Sequence, residues 1–163
     1  MRSGNALDVG CGAGKLCFLF DEYTKGGAKI TGGDFSEELL DKARAKNKER
    51  GSNIDFIFLD FNKPFHFADN TFDLVTSAFA IYYASDLDFT FGEAYRVLRS
   101  PDALSGRPGG RLFVSGPLPE NKQMFYDIIK EATNATIPPM PGSSRFKGDI
   151  FNSISKIFAK AEL

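Results

Sequence analysis

Ala6-Leu7-Asp8-Val9-Gly10-Cys11-Gly12-Ala13-Gly14 is an apolar run carrying one acid, and it enters a loop with glycine at every second position. The following segment, 15–23, carries Leu16, Leu19, Phe20 and Tyr23 at helical spacing and predicts a helix. A buried strand that turns through a glycine loop into a helix lets backbone come close to a nucleotide-like ligand. A dinucleotide fingerprint would need its third glycine at position 15, where Lys15 stands.

Outward from this loop, the bulk composition narrows the choices. A chain of 163 residues suits one domain, and 42% hydrophobic with 25% charged residues suits an ordinary globule. Lys plus Arg count 20 against 21 Asp plus Glu, so no overall field favours nucleic acid or an anionic membrane. The basic run at 42–50 reads as the solvated end of a helix, where cations oppose the dipole. The longest mainly apolar stretch, around 74–84, is too short to cross a bilayer, which takes ~20 residues, and residues 1–4 offer no secretory core. Cys11 and Cys17 make neither a disulfide framework nor a metal constellation. A reduced, cytoplasmic setting suits them, and no metal site is expected.

Apolar segments then alternate between strand-like and helix-like, which predicts an α/β fold with a mainly parallel sheet covered on both faces. Strands are expected at 28–33 ending at Asp34, at 54–59 ending at Asp60, at 71–80 and at 111–115. Ser36 is the expected N-cap of a helix with Glu37 and Glu38 in its first turn, a buried stripe of Leu39, Leu40 and Ala43, and a stop at Gly51. Leu87, Phe91, Ala94 and Leu98 mark the next helix. Met124, Phe125, Ile128, Ile129 and Ala132 share a face of another, and a last amphipathic helix is expected over 148–161 after a Pro/Gly/Ser loop at 137–144. No repeat or linker divides the chain, so one domain is expected over 1–163, with 116–163 as a helical tail and candidate substrate lid.

Asp34 lies at the carboxyl end of the second strand, where open α/β sheets bind their ligands. A carboxylate there can accept from two ribose hydroxyls, and Phe35 can cover one face of a base; the alternative is an acid merely exposed at a strand end. Several pieces stand in family order: residues 6–14, Asp34 with the helix after it, Asp60 with Pro64-Phe65, Asp69 to Val75, Glu93 to Leu98, and Pro108 to Leu112. Together they resemble the class I S-adenosylmethionine (SAM) methyltransferases, with residues 6–14 similar to the family's first motif. The resemblance implies a Rossmann-like three-layer αβα sandwich with strand order 3-2-1-4-5.

It also implies SAM as cofactor, S-adenosyl-L-homocysteine as product, and methyl transfer to a small-molecule acceptor. Implied cofactor-binding residues are Asp8, Gly10, Cys11, Gly12, Gly14, Asp34, Phe35, Leu39, Asp60, Phe61, Ser77, Ala78 and Phe79. Asp60 would accept from the adenine amino group beside the Phe61 amide. Asp8 would shape the loop from behind, with the cationic sulfonium or amino group rewarding its charge. Ser77, Ala78 and Phe79 would line the methyl end of the crevice. Tyr82 and Tyr83 would face the acceptor, or else pack against the next helix. The reaction requires no metal, His66 carries no sign of a base, and no catalytic residue is assigned. No N/D-P-P-Y/F-like segment follows the fourth strand, which argues against acceptors that are bases or glutamine.

Two features depart from the family. Residues 100–107 intervene where members usually pass almost directly into the fifth strand; a surface loop opposite the crevice is expected. The family's last two strands have no counterpart, and the chain begins almost at strand one, so a shortened five-stranded sheet is expected. Its fifth strand would be an open edge through which copies could pair. Alternatives are a non-catalytic SAM-binding protein and a nicotinamide-dependent oxidoreductase, the latter disfavoured by Lys15 and by the lack of a clear Tyr-x-x-x-Lys.

Overall fold

A computed structural model describes residues 3–117, 120, 123–135 and 145–158. Five parallel strands form one sheet: β1 (Gly4–Val9), β2 (Ala28–Asp34), β3 (Ile54–Phe58), β4 (Leu74–Ala78) and β5 (Arg111–Ser115), in the order β3-β2-β1-β4-β5. This is the expected order. β1 lies at the centre and is buried on both faces, with Leu7 and Val9 fully buried on one and Ala6 and Asp8 8% and 2% exposed on the other. It pairs with Ala28–Gly33 of β2 on one side and Leu74–Thr76 of β4 on the other.

The helices follow with short connections: α1 (Lys15–Thr24), α2 (Glu37–Arg50), α3 (Leu87–Val97), α4 (Gln123–Thr133) and α5 (Phe151–Ile157). A single 3-10 turn (Ile81–Tyr83) precedes α3, and a π turn (Phe146–Ile150) leads into α5. α1 and α2 cover one face of β1–β3 through Cys17, Phe18, Leu40 and Ala43 against Ile30, Ile54 and Phe56. α3 covers the other face, packing Phe91, Ala94 and Val97 against Leu7, Val9 and Val75. None of the described helices is long and apolar enough to cross a membrane.

Local signals explain the boundaries. Ser36 Oγ accepts from Leu39 N at 3.4 Å, and Gly51 ends α2 at φ 65 with its amide on the last carbonyls. Asp86 caps α3 by accepting from Phe89 N at 2.9 Å. β4 is shorter than the expected 71–80. Phe72 forms only a single bridge to Leu98, and Phe79 leaves the ladder at φ 57. β3 stops at Phe58, one residue early, although Leu59 N still reaches the Asp34 carbonyl at 2.9 Å.

α1 packs inward on a face only partly marked by its helically spaced apolar residues: Phe20 packs against the core and Leu16 is half-buried. Cys17 and Phe18 are buried, while Leu19 and Tyr23 are 51% and 73% exposed. Gly32 on β2 leaves a hollow, and the sulfurs of Cys11 and Cys17 fill it with the Phe56 ring, each 2.9 Å from where a Cβ would stand. The helix rotates to bring those small groups down.

The long β3–β4 connection is tied to α3 by Arg96. Its guanidinium donates to the carbonyls of Phe65 and Phe67 and to Asp69 and Glu93, and Glu93 in turn accepts from Phe65 N at 2.6 Å. Residues 100–107 form the expected exposed loop, closed by paired Asp102 and Arg107 at the amino end of β5. The expected loop at 137–144 and the end of the last helix, 159–161, lie outside the described residues.

Candidate active site

The glycine loop leaves β1 at the carboxyl edge of the sheet. Gly10 N and Cys11 N both donate to the Gly33 carbonyl, at 2.8 and 3.0 Å, and Gly14 N donates to Cys11 O at 3.0 Å. Gly12 N donates to Asp34 Oδ2 at 2.7 Å. These amides are therefore satisfied from within the chain, and the loop's contribution is close approach rather than a row of free donors. Gly10, at φ 77, shows how close: an added Cβ would lie 2.2 Å from the Ala80 Cβ. The β1 and β4 ends thus meet at van der Waals contact.

Asp34 joins the loop to β2. Its other oxygen accepts from Ser36 N at 2.9 Å, and the residue is 6% exposed. Each oxygen accepts one amide and retains a lone-pair direction, which matches the two hydroxyls of a ribose diol. Phe35 beside it is 65% exposed, with a ring face open to a ligand. Leu39, half-buried on the first turn of α2, comes within 4.0 Å of the Cβ position at Gly12. Gly12, Asp34 and Leu39 are therefore neighbours, with Phe35 next to Asp34 in the chain.

Asp60 stands at the next strand end, but its carboxylate is already organised. Oδ1 accepts from Asn62 N at 3.0 Å, and Oδ2 faces Lys63 Nζ at 3.4 Å. The Asn62 amide is the main cause that holds this carboxyl below the usual carboxylate range. The Phe61 ring lies in the core and its carbonyl accepts from Thr90 Oγ1 at 3.0 Å, so only its backbone amide remains for a ligand.

Asp8 points beneath α1. Thr76 Oγ1 donates to it at 2.7 Å and Cys17 Sγ at 3.7 Å, and it is 2% exposed. Burial pushes its carboxyl up to about 6, opposed by the hydrogen bonds from Thr76 and Cys17 and assisted by the nearby Asp34 charge. No Lys or Arg pairs with it among the described residues. Cys11 packs into the core rather than lining the crevice, because it fills the Gly32 hollow. The Cys17 thiol is pushed up by Cys11 and by burial, which leaves it unreactive.

At the end of β4 the predicted wall divides. Ser77 is fully buried and its Oγ accepts from Ile81 N at 3.1 Å, so it braces the 3-10 turn instead of lining the crevice. Ala78 is half-buried at the strand end. Phe79 is 57% exposed, thrown outward by its positive φ while its amide holds Ser115 O at 2.8 Å. Tyr82 belongs to the core, 4% exposed, and burial pushes its phenol up to about 12; packing is its role. Tyr83 is 57% exposed, its ring 4.5 Å from that of Tyr82. Sequence reading missed Ala80, Thr76 and the Gly33 carbonyl. Nothing local marks an alanine, a threonine or a main-chain oxygen as the neighbour of a loop that is distant in sequence.

A family model described as a methyltransferase domain matches residues 6–101, more than half of the chain. The chain belongs to this methyltransferase domain family. A ubiquinone/menaquinone biosynthesis C-methyltransferase from Desulfotalea psychrophila is 34% identical over 129 residues, 78% of this chain and 47% of that protein. A demethylmenaquinone methyltransferase from Thermus thermophilus is 33% identical over 136 residues, covering 83% and 57%. The chain therefore spans about half the length of the curated relatives it matches. Among solved structures, an S-adenosylmethionine-dependent methyltransferase from Mesorhizobium loti is 30% identical with TM-score 0.59, covering 72% of this chain and 48% of that one. The sheet order of this methyltransferase domain and its glycine loop thus agree with the sequence match.

Proposed function

We propose that the crevice binds S-adenosyl-L-methionine and that the chain transfers its methyl group to a small-molecule acceptor, releasing S-adenosyl-L-homocysteine. The observation that carries this reading is the junction of Gly12 N with Asp34 Oδ2 at 2.7 Å, at the point where Gly10 closes on Ala80. It presents two acceptor oxygens beside a surface that backbone alone can approach. When bound, the cofactor supplies an electrophilic methyl group on a sulfonium, with a neutral thioether as leaving group.

The chain's own work is alignment and exclusion of water. Asp34 accepts from the ribose hydroxyls, Phe35 and Leu39 flank the base, and Asp60 with the Phe61 amide meets its polar edge. Asp8 keeps negative charge behind the loop, which favours a cationic ligand. Phe79 and Tyr83 form the exposed wall on the acceptor side. Of the two relatives, one is a C-methyltransferase of ubiquinone/menaquinone biosynthesis and the other a demethylmenaquinone methyltransferase. A small aromatic acceptor methylated on ring carbon suits these two aromatic side chains, which can stack on a planar ring. A cytoplasmic location accords with the two free cysteines.

Calorimetric titration with SAM, S-adenosyl-L-homocysteine and NAD tests the reading. Asp34→Ala is expected to weaken SAM binding by ~1–3 kcal/mol through lost charge-assisted hydrogen bonds. Preference for NAD, or unchanged SAM affinity in that variant, would overturn the assignment of the site. Transfer of labelled methyl from SAM to a panel of hydroquinones and other small aromatics then tests the chemistry. Tight SAM binding without transfer to any acceptor would leave a binding protein.

A further inference from the structure

Residues 145–158 dock on α3. Ile150 is 2% exposed and Ser153 3%, Ser153 Oγ hydrogen-bonds Asp88, and Lys156 Nζ meets the same carboxylate at 2.9 Å. Arg145, at the start of this piece, reaches instead to the 3-10 turn. Its Nη1 donates to the carbonyls of Tyr82 and Ala84, both at 2.9 Å. Those carbonyls flank Tyr83, the exposed residue of the 3-10 turn. The turn begins just beyond Ala80, which abuts Gly10.

The choice of partner is informative. The acid that Arg145 meets, Asp149, is 3.8 Å from Nε, longer than either carbonyl bond. One guanidinium nitrogen with two N–H groups bridges two carbonyls two residues apart, which suits the planar arginine head better than a lysine point charge. Tyr83 is thus held from both sides through its backbone, while its ring rests on buried Tyr82. Among the described residues, both side-chain donors to these carbonyls come from Arg145.

We infer that Arg145 is a positioning residue for the acceptor-side wall, fixing Tyr83 at the crevice mouth through the Tyr82 and Ala84 carbonyls. A segment well beyond β5 thereby shapes acceptor selection without touching the cofactor loop. The inference rests on the proposed reading of Phe79 and Tyr83 as the acceptor wall.

Fluorine NMR of the full chain labelled with 3-fluorotyrosine tests it, since only five tyrosines are present and Tyr83→Phe assigns the relevant resonance. Arg145→Met is expected to shift and broaden the Tyr83 signal while S-adenosyl-L-homocysteine affinity stays within about twofold. Arg145→Lys, which keeps charge and N–H donors, should lie closer to the wild type; this comparison decides the matter if the methionine variant folds poorly. Lys156→Ala, which loosens the same segment at its other end, should leave the Tyr83 signal in place. An unmoved Tyr83 signal in Arg145→Met overturns the inference, as does an equal shift in Lys156→Ala. Failure of the wild type to bind S-adenosyl-L-homocysteine would instead overturn the proposed function, with the coupling of Arg145 to Tyr83 still read from the spectrum.

Discussion

Gly10 and Asp8, two residues apart, answer opposite demands. Gly10 is at φ 77 with Ala80 Cβ 2.2 Å from where its own Cβ would be, so Gly10→Ala combines backbone strain with overpacking. We expect it to cost about 2–4 kcal/mol in urea unfolding and to reduce SAM affinity. Asp8 is instead an ionisable group held where ionisation is unfavourable, with a carboxyl raised to about 6 from 3.8. Between those pH values the unfolded chain gives up its proton first, so stability falls as pH rises through that window and levels off above it. The full effect is roughly 3 kcal/mol at 1.36 kcal/mol per pH unit. Asp8→Asn keeps an acceptor for Thr76 and removes the charge. It should be the more stable form at pH 7.5, with the difference shrinking toward pH 4. Parallel stability curves for the two proteins across that range would show that Asp8 does not titrate there. The acid's position in the motif was legible in the sequence; that it faces Thr76 and Cys17 was not, because the partner on β4 is set by sheet register.

Among the elements, α1 shows what periodicity can and cannot read. The helix itself is legible after the glycine loop that opens it, and in the structure it closes at Lys25 in the αL region. Its buried face is not legible, since Leu16, Leu19, Phe20 and Tyr23 outweigh Cys17 and Phe18 in any count of apolar side chains. The hollow at Gly32 on the facing strand decides the rotation, and a hollow has no local signature. By contrast, both ends of α2 are legible in the sequence because its cap residues, Ser36 and Gly51, act locally. The rotation of α1 predicts an asymmetric pair of variants. Phe18→Ala, which empties a site packed against Phe56 at 5.7 Å between ring centroids, should cost about 3–5 kcal/mol. Tyr23→Lys, on the opposite flank, should stay within about 0.5 kcal/mol. Thermal denaturation of both decides between this face and the one periodicity favours, and a large loss in Tyr23→Lys would sink the rotation.

At the scale of the whole molecule, strand order was legible because alternating strand and helix segments with short connections admit few right-handed arrangements. The distribution of uncovered surface was less so. β4 and β5 pair in register, with Thr76 opposite Phe113, and Thr76 is in turn opposite Asp8 on the face that carries α1. Phe113 therefore shares that side of the sheet, yet it is 57% exposed, as are Leu19 and Tyr23 at 51% and 73%. Among the described residues β5 pairs only with β4, so an apolar side chain and a free ladder edge coincide on one strand. Such edges recruit further strands unless a charge blocks them. The expected consequence is concentration-dependent self-association that Phe113→Lys suppresses. Because the side chain is exposed, that substitution should leave the unfolding free energy within about 0.5 kcal/mol. Sedimentation velocity across a concentration series measures the first effect and urea unfolding the second. A wild type that remains monomeric throughout, or a variant that associates equally, would show that the β5 edge is idle and that Phe113 answers to no second copy of the chain.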